Sequence, residues 1–329
     1  MVRDLNHVQE KLLQLITKTI SEENFDCNPI ELFEPIKYTM SLGGKRIRPL
    51  MLLMACDMFG GCIDDAIYPA IGLEVFHNFT LIHDDILDNA SLRRGKETVY
   101  KKWNVNRAIL SGDTMFALSY NYFFRTQDKY IVPILKVFNK TAIEVCQGQQ
   151  YDMNYEVQNN VDIATYIEMI RLKTAVLLGA CVKIGAVIGN ASEKDANLIY
   201  NFAENLGIAF QLKDDILDLY SKQEVFGKET GGDIVANKKT YLFLKALELS
   251  DAVQENELRE LFGITLEDNT KKIESVRRIY DDLNIQEHTT LAMNIYINKA
   301  LESLSEIDVP EQKKLAFREF SDMLMKREK

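Results

Sequence analysis

Residues 194–220 read KDANLIYNFAENLGIAFQLKDDILDLY, and their pattern decides the fold. Apolar side chains recur at three- and four-residue spacing, as at Ile199, Phe202 and Leu206. That spacing is typical of one face of an amphipathic helix, whereas a half-buried strand alternates apolar and polar residues. The stretch is therefore predicted to be a long helix that ends near the acidic pentapeptide DDILD at 214–218.

The same periodicity runs through most of the chain, and alternating runs are short and rare. The 329 residues include only six prolines and sixteen glycines, without a linker or low-complexity tract. We therefore predict an all-α protein that forms a single domain over residues 1–329. The expected helices are about 4–21, 30–42, 48–59, 64–89, 104–127, 130–155, 162–188, 194–221, 238–249, 268–284, 286–304 and 310–327.

The composition excludes some function classes. The net charge of −10 leaves no basic excess to neutralise nucleic-acid phosphates, so no nucleic-acid partner is expected. No segment has the roughly 18 apolar residues that a transmembrane helix needs, and the N-terminus lacks the apolar run of a signal peptide. The five cysteines show no CxxC spacing, which favours free thiols in a reducing compartment. A cytoplasmic location is expected.

The pentapeptide DDILD occurs twice, at 84–88 and at 214–218. In a helix, Asp84 and Asp88 lie on one face, while Asp85 points about 100° away. Like charges at this spacing destabilise a helix, and a bound Mg²⁺ ion is the usual reason to keep them. A solvated helix end is the commoner role of an acidic cluster. However, the literal repeat of the whole pentapeptide favours metal binding.

Basic residues cluster in the loops near these two motifs. GGKRIRP at 43–49 combines a flexible turn with three cations, and Arg93 and Arg94 follow the first motif. Lys228 and Lys238 follow the second motif. Each feature alone is more often part of an ordinary surface. Their joint placement predicts a diphosphate held between metal ions on one side and Arg and Lys side chains on the other.

From about residue 43 to 242, the sequence resembles the trans-polyprenyl diphosphate synthase family. It reads GGKRIRP, HDDILDNASLRRG, CQGQQYD, RLKTAVLL, FQLKDDILD, FGKETGGD and NKKTYL, in the family's order. The resemblance implies a bundle of roughly ten or more helices around a deep central cavity, the isoprenoid synthase fold, usually as a homodimer. It also implies an enzyme that adds isopentenyl diphosphate head to tail to an allylic diphosphate, using three Mg²⁺ ions per active site.

The resemblance implies specific roles for residues in these motifs. The ligands of the isopentenyl diphosphate would be Lys45, Arg48, His77 and Arg94. The ligands of the allylic diphosphate would be Arg93, Lys173, Lys228 and Lys238. The metal ions would be bound by Asp84, Asp85, Asp88 and Asp214, with Asp215 and Asp218 in support. Thr174 and Gln211 would stabilise the positive charge that develops on the allylic carbon, and Gln147 and Asp152 would line the same cavity.

Product length is expected to depend on the helix before the first motif. Phe79 lies five residues before Asp84, about 7.5 Å deeper along a helix, and Phe76 lies eight residues before it. In the family, a bulky aromatic residue at the five-before position blocks elongation. The pattern is most similar to geranylgeranyl synthases, with farnesyl diphosphate as the alternative product. Packing of Phe79 in an ordinary core is an almost equally good interpretation.

Three other functions are weighed against this interpretation. A class I terpene cyclase also uses a DDxxD motif, but it would normally replace the second copy and lack GGKRIRP. A non-catalytic subunit of a heteromeric synthase would typically lose aspartates from the motifs, and this chain keeps all six. A purely structural helical scaffold would explain the periodicity but not the repeated pentapeptide.

Overall fold

The computed structural model describes residues 5–158, 160–221, 231–263 and 269–325, with side chains from residue 8 onward. The helices are α1 Leu5–Glu22, α2 Ile30–Ser41, α3 Ile47–Met58, α4 Ile63–Leu87, α5 Val99–Lys102, α6 Val105–Phe123, α7 Asp128–Val157, α8 Ile163–Ile170, α9 Val176–Ile188, α10 Glu193–Tyr220, α11 Gly232–Val235, α12 Tyr241–Leu249, α13 Ala252–Gly263, α14 Asn269–Asp282, α15 Ile285–Ser305 and α16 Glu311–Met325. A π-helical turn, Arg171–Ala175, joins α8 to α9. Strands β1 Leu92–Arg93 and β2 Lys96–Glu97 form a small antiparallel hairpin.

The all-α prediction is confirmed. Every predicted helix has a counterpart, but the stretch 162–188, expected to be one helix, is interrupted by the π turn. The stretch 91–103, where no helix was expected, contains the hairpin and α5. Over the described ranges, no helix combines the length and the apolar content that a bilayer crossing requires.

The chain divides into two compact units. Unit 1 comprises 1–139, 180–197 and 309–313, and unit 2 comprises 140–179, 198–308 and 314–329. The single-domain organisation expected for residues 1–329 remains a prediction.

The core of unit 1 is built on α4, which is apolar on all sides and therefore buried along most of its length. A β-carbon on Gly72 would lie only 3.0 Å from the ring of Phe123, so a glycine lets α6 approach α4 closely. The C-terminal end of α4 carries the first aspartate motif. The packing of α4 therefore fixes the position of that motif.

The core of unit 2 surrounds the C-terminal half of α10. Ile208, Leu212 and Ile216 on α10 are buried in one cluster with Tyr166 of α8 and Tyr280 of α14. This face ends at the second aspartate motif. Burial of the apolar face therefore determines which aspartates of the motif face inward.

Candidate active site

The three aspartates of the first motif lie in different environments at the end of α4. Asp85 is only 3% exposed, and Arg93 donates from Nε to its Oδ1 at 2.8 Å. Burial raises the pKa of the Asp85 carboxyl to about 6, although the charge and hydrogen bond of Arg93 oppose the rise. Asp84 is partly exposed, and Asp88, the C-cap residue of the helix, is exposed. Asp85 therefore anchors the following hairpin, while Asp84 and Asp88 are more accessible.

The hairpin positions Arg94 against the turn of GGKRIRP. Leu92 pairs with Glu97, and the two residues at the tip, Arg94 and Gly95, have φ of 53° and 74°. Positive φ at both positions is typical of the tight turns that join two strands. The Arg94 guanidinium donates to the carbonyl oxygen of Gly43.

Gly44 is required for that contact. Its φ is +129°, and a β-carbon there would lie 2.9 Å from the guanidinium carbon of Arg94. A side chain at this position would push Arg94 away from the turn. Glycine at position 44 of GGKRIRP therefore has a specific reason, which is the approach of a cation from the RRG hairpin.

The start of α3 holds one arginine in a structural role. Arg46 has a left-handed φ of 49° and donates to Glu74 at 2.5 Å and to the carbonyl oxygen of Met40 at 2.8 Å. Arg46 and Glu74 are both almost fully buried. A buried charge pair of this kind is costly to break, so Arg46 fixes the turn before α3. Lys45, by contrast, is exposed.

Arg48 and His77 form the centre of a cationic cluster. Nη1 of Arg48 lies 3.0 Å from Nε2 of His77. Burial and the positive charges of Arg48, Arg94, Arg93 and Arg46 lower the pKa of His77 well below its ordinary value, so the imidazole is neutral at pH 7. The Nε of Arg48 is buried and makes no hydrogen bond in the described part of the chain. Clustered guanidinium groups with an unpaired buried donor are suited to binding an anion.

Asp215 of the second motif is enclosed by hydrogen-bond donors. The hydroxyl of Tyr166 donates to its Oδ2 at 2.5 Å, and Nε2 of Gln211 donates to its Oδ1 at 3.2 Å. Burial and the charge of Asp233 raise the pKa of Asp215 to about 8, and the hydrogen bonds from Tyr166 and Gln211 oppose the rise. Asp215 therefore ties α8 to α10.

Asp218 organises the segment that follows residue 230. Its Oδ2 accepts from the backbone N–H of Asp233 at 3.0 Å, and its carbonyl accepts from Gly231 at 2.7 Å. Asp214, one turn earlier, is partly exposed. Asp214 and Asp218 are thus both partly exposed, and the role of Asp214 as a metal ligand remains a prediction.

A cavity open to solvent lies in unit 2, with an empty volume of about 590 Å³. The sequence-predicted residues on its wall are Asp152, Lys173, Thr174, Gln211, Asp215 and Lys238. Lys173 donates from Nζ to Asp152 at 2.5 Å, and the Thr174 hydroxyl lies 3.4 Å from Oε1 of Gln211. Gln147 is exposed and is absent from this wall, and Lys228 lies outside the described residues.

The π turn presents Lys173 and Thr174 to the cavity. A β-carbon on Gly148, from CQGQQYD, would lie 2.2 Å from the backbone nitrogen of Lys173. On the other side, a β-carbon on Gly207 would lie 2.7 Å from Cα of Ala175. Two glycines therefore let α7 and α10 contact the backbone of the turn directly. Isolated π turns occur frequently at functional sites.

Eight of the fourteen residues on the cavity wall were given no role from the sequence. Tyr166, Asp233 and Lys239 are among them. Lys239 donates to the carbonyl oxygens of Tyr155 at 2.8 Å and Glu156 at 3.3 Å, at the C-terminal end of α7. The doublet in NKKTYL was a usable signal for Lys239, whereas nothing in the local sequence distinguishes Tyr166.

The aspartates of the two DDILD motifs are the candidate Mg²⁺ ligands. Within the described ranges, no three His, Cys, Asp or Glu side chains are grouped so as to hold a metal ion. Mg²⁺ is usually bound by one or two carboxylates, with water and substrate phosphates completing the octahedron. The accessible carboxylates of Asp84, Asp88 and Asp214 fit that pattern.

An aromatic cluster lies along α4 before the first motif. Phe76 is fully buried, with its ring 5.0 Å from that of Phe138 and 5.8 Å from that of Phe116. Phe79 is partly exposed and contacts Phe116 at 5.4 Å and His83 at 4.8 Å between ring centroids. Phe76 therefore belongs to the core, and Phe79 lies at its edge. Phe116 was not identified from the sequence.

Side chains of this kind, arginines clustered around an unpaired buried donor and lysines on a cavity wall, are suited to binding phosphorylated ligands. The polyprenyl synthetase family model matches residues 30–283. The chain belongs to this family and is a prenyltransferase. The relatives do not favour the terpene cyclase and the non-catalytic subunit.

Relatives and solved structures agree on the class. A geranylgeranyl diphosphate synthase of Methanosarcina mazei is 34% identical, and the match covers 91% of each chain. A short chain isoprenyl diphosphate synthase of Methanothermobacter thermautotrophicus is 31% identical over 98% of each chain. The crystal structure of a geranylgeranyl pyrophosphate synthase is 42% identical, with a TM-score of 0.91 over 99% of each chain.

Proposed function

We propose that this prenyltransferase condenses isopentenyl diphosphate head to tail with an allylic diphosphate to give geranylgeranyl diphosphate, with farnesyl diphosphate as the alternative product. The observation that carries the proposal is the cluster around Arg48 and His77. Its guanidinium groups surround a neutral imidazole, and a buried Nε of Arg48 lacks a partner in the described part of the chain. Such a cluster is complementary to a diphosphate.

Arg48 and Arg94, with His77 and Lys45, would hold the diphosphate of isopentenyl diphosphate. His77 would contribute as a neutral hydrogen-bonding group, because its pKa is lowered well below the ordinary value. The Arg94 guanidinium donates to the carbonyl oxygen of Gly43 and lies against Gly44, and these contacts fix its position. This cluster would orient the double bond of the substrate for attack.

The allylic diphosphate would be bound by Lys173 and Lys238 of the cavity in unit 2, with Arg93 and Lys228. Asp84, Asp85, Asp88 and Asp214 would be Mg²⁺ ligands, with three ions expected, and the ions would neutralise the leaving diphosphate. Asp215 and Asp218 would support Asp214 by fixing its helix and the following segment.

The chemistry would proceed by ionisation of the allylic carbon–oxygen bond. The oxygens of Thr174 and Gln211 would stabilise the positive charge that develops on carbon. The double bond of isopentenyl diphosphate would then form the new carbon–carbon bond, and the departing diphosphate would accept the proton that is lost. Asp152, paired with Lys173, would hold that lysine toward the cavity.

The product would be limited by Phe79, with Phe76 behind it in the core. The active form would be a homodimer, as the family resemblance implies. The cytoplasmic location expected from the sequence remains a prediction.

The test is an assay with labelled isopentenyl diphosphate and dimethylallyl, geranyl or farnesyl diphosphate, with and without Mg²⁺, followed by sizing of the dephosphorylated products. We expect a Mg²⁺-dependent twenty- or fifteen-carbon alcohol. Asp84→Asn should lower turnover by about a hundredfold or more. The matched control, Asp64→Asn in the exposed first turn of the same helix, should not lower it. Absence of product with all three starters would refute the proposal.

A further inference from the structure

Segment 231–240 carries part of the cavity wall, and helix α14 lies against it. Asp233, Lys238 and Thr240 of this segment line the cavity. The segment contains only one helical turn, α11, and depends on outside contacts for its shape. Asp218 of α10 supplies some of those contacts, and α14 supplies others from a part of the chain where the sequence carries no recognisable motif.

Lys272 of α14 is a buried lysine with an unusual position. It is only 1% exposed, and its Nζ donates to Oδ1 of Asn237 in the segment. The ring of Phe262 lies 5.6 Å from the same nitrogen. Lysine is almost never fully buried unless its ammonium group is paired, because the loss of hydration is costly. The burial of Lys272 therefore indicates that its contact with the segment is specific.

Asn237 links this contact to the cavity. It follows α11 in a left-handed conformation, with φ of 56°, and its neighbour Lys238 donates a backbone hydrogen bond to the carbonyl of Asp233 at 2.9 Å. The side chain of Asn237 is directed to α14, while Lys238 is on the cavity wall. Fixing Asn237 thus fixes the backbone from which Lys238 extends.

One further contact joins α14 to the same segment. A β-carbon on Gly231, whose φ is +83°, would lie 2.9 Å from the side chain of Ile273. Tyr280 lines a smaller cavity of about 240 Å³ together with Asp233 and Lys238. The segment is therefore held by α14 at its start and at Asn237.

We propose that Lys272 is a positioning residue: through Asn237 it holds segment 231–240 so that Lys238 can bind the diphosphate of the allylic substrate. The inference rests on the proposed function for the role of Lys238. Lys272 itself does not contact the substrate. Lys272 contributes only the geometry of the segment. Its loss should therefore weaken binding of the allylic diphosphate more than binding of isopentenyl diphosphate.

The test compares Lys272→Met with Lys271→Met, the same substitution at the adjacent, exposed position. Methionine keeps the aliphatic volume and removes the hydrogen bond. We expect Lys272→Met to raise the KM for the allylic diphosphate about tenfold, as for loss of a hydrogen bond to a charged group, and to change the KM for isopentenyl diphosphate much less. Equal changes in both KM values, or equal effects of the two variants, would overturn the proposal.

A double-mutant cycle separates this role from a general loss of stability. Asn237→Gly keeps the left-handed backbone and removes the partner oxygen. If the two residues act through one contact, the double variant should be no weaker than Lys272→Met alone, whereas additive effects would contradict the mechanism. Thermal unfolding of each variant identifies any that does not fold. If Lys272→Met does not fold, Asn237→Gly alone tests the contact.

Titration of each variant with inorganic diphosphate and Mg²⁺ in a calorimeter makes the test independent of turnover. The Kd should rise about tenfold in Lys272→Met and stay within about twofold in Lys271→Met. This measurement remains decisive if the parent enzyme makes no prenyl product, in which case the proposed function fails separately. An unchanged Kd in Lys272→Met would refute the positioning role.

Discussion

At the scale of single residues, the charge state of His77 is set by its neighbours. Burial, and then the charges of four arginines, lower its pKa, so it stays neutral where an ordinary histidine would begin to gain a proton. A protonated imidazole 3.0 Å from the Arg48 guanidinium would be repelled by its positive charge. A neutral imidazole can instead share the space with four guanidinium groups.

The lowered pKa makes stability depend on pH. Below the unfolded-state pKa of about 6.5, the unfolded chain binds a proton at His77 that the folded chain does not. The stability contribution is therefore present above that pH and is lost as the pH falls. Between pH 7.5 and 5.5, the parent should lose about 1 kcal/mol more free energy of unfolding than His77→Gln. Urea denaturation at both pH values measures the difference, and identical losses would contradict the prediction.

Phe79 provides a second prediction at this scale. It lies at the exposed edge of the aromatic cluster, where removal of its ring would open space rather than leave a sealed core cavity. Phe79→Ala should therefore shift the main product beyond twenty carbons. Phe124→Ala, at an exposed phenylalanine that ends α6, is the matched control and should leave the product unchanged. An unchanged product in Phe79→Ala would show that the ring is ordinary packing.

At the scale of elements, the helices could be predicted because their apolar periodicity is local. The π turn could not, because RLKTA continues the periodicity of its neighbours and nothing in those five letters specifies the extra residue in the turn. Its shape comes from Gly148 and Gly207, which are distant in sequence. Helix α13 and the hairpin at 92–97 were also not predicted, because their sequence patterns are too polar or too short to be distinctive.

The contact of Gly148 with the π turn gives a prediction for this element. A methyl group at Gly148 would overlap the backbone of Lys173, so α7 or the turn must move. Gly148→Ala should lower the free energy of unfolding by about 1–3 kcal/mol and also reduce kcat, because Lys173 and Thr174 would be displaced. The control is Gly263→Ala, where no atom of the described residues lies within 4 Å of the added carbon. Unchanged stability and kcat in Gly148→Ala would contradict the close contact.

At the scale of the whole molecule, the aspartate motifs and their neighbouring cations could be located from the sequence because they are contiguous. Their partners could not. The hydroxyl of Tyr166 reaches Asp215 across 49 positions, and Lys272 reaches Asn237 across 35. Such pairs depend on which helix faces pack together, and that packing cannot be predicted from the spacing of residues within one segment.

The expected homodimer gives a prediction for the assembly. On α6, Val105, Ile109 and Leu110 are 42%, 41% and 59% exposed, and Val105 and Ile109 lie one turn apart on the same face of the helix. A cluster of exposed apolar side chains is typical of an interaction site, and a two-fold dimer would bury the same cluster from each copy. Sedimentation equilibrium should therefore give twice the 37.8 kDa of one chain.

Replacing both Ile109 and Leu110 by Glu should convert the dimer to monomer, because two charges per subunit would be buried without partners. Val253→Glu is the matched control, since Val253 is 74% exposed and has the polar residues Asn256 and Glu257 at the next helical positions. The control should remain dimeric. A monomeric parent would exclude the homodimer, and a dimeric Ile109→Glu, Leu110→Glu variant would place the interface on another surface.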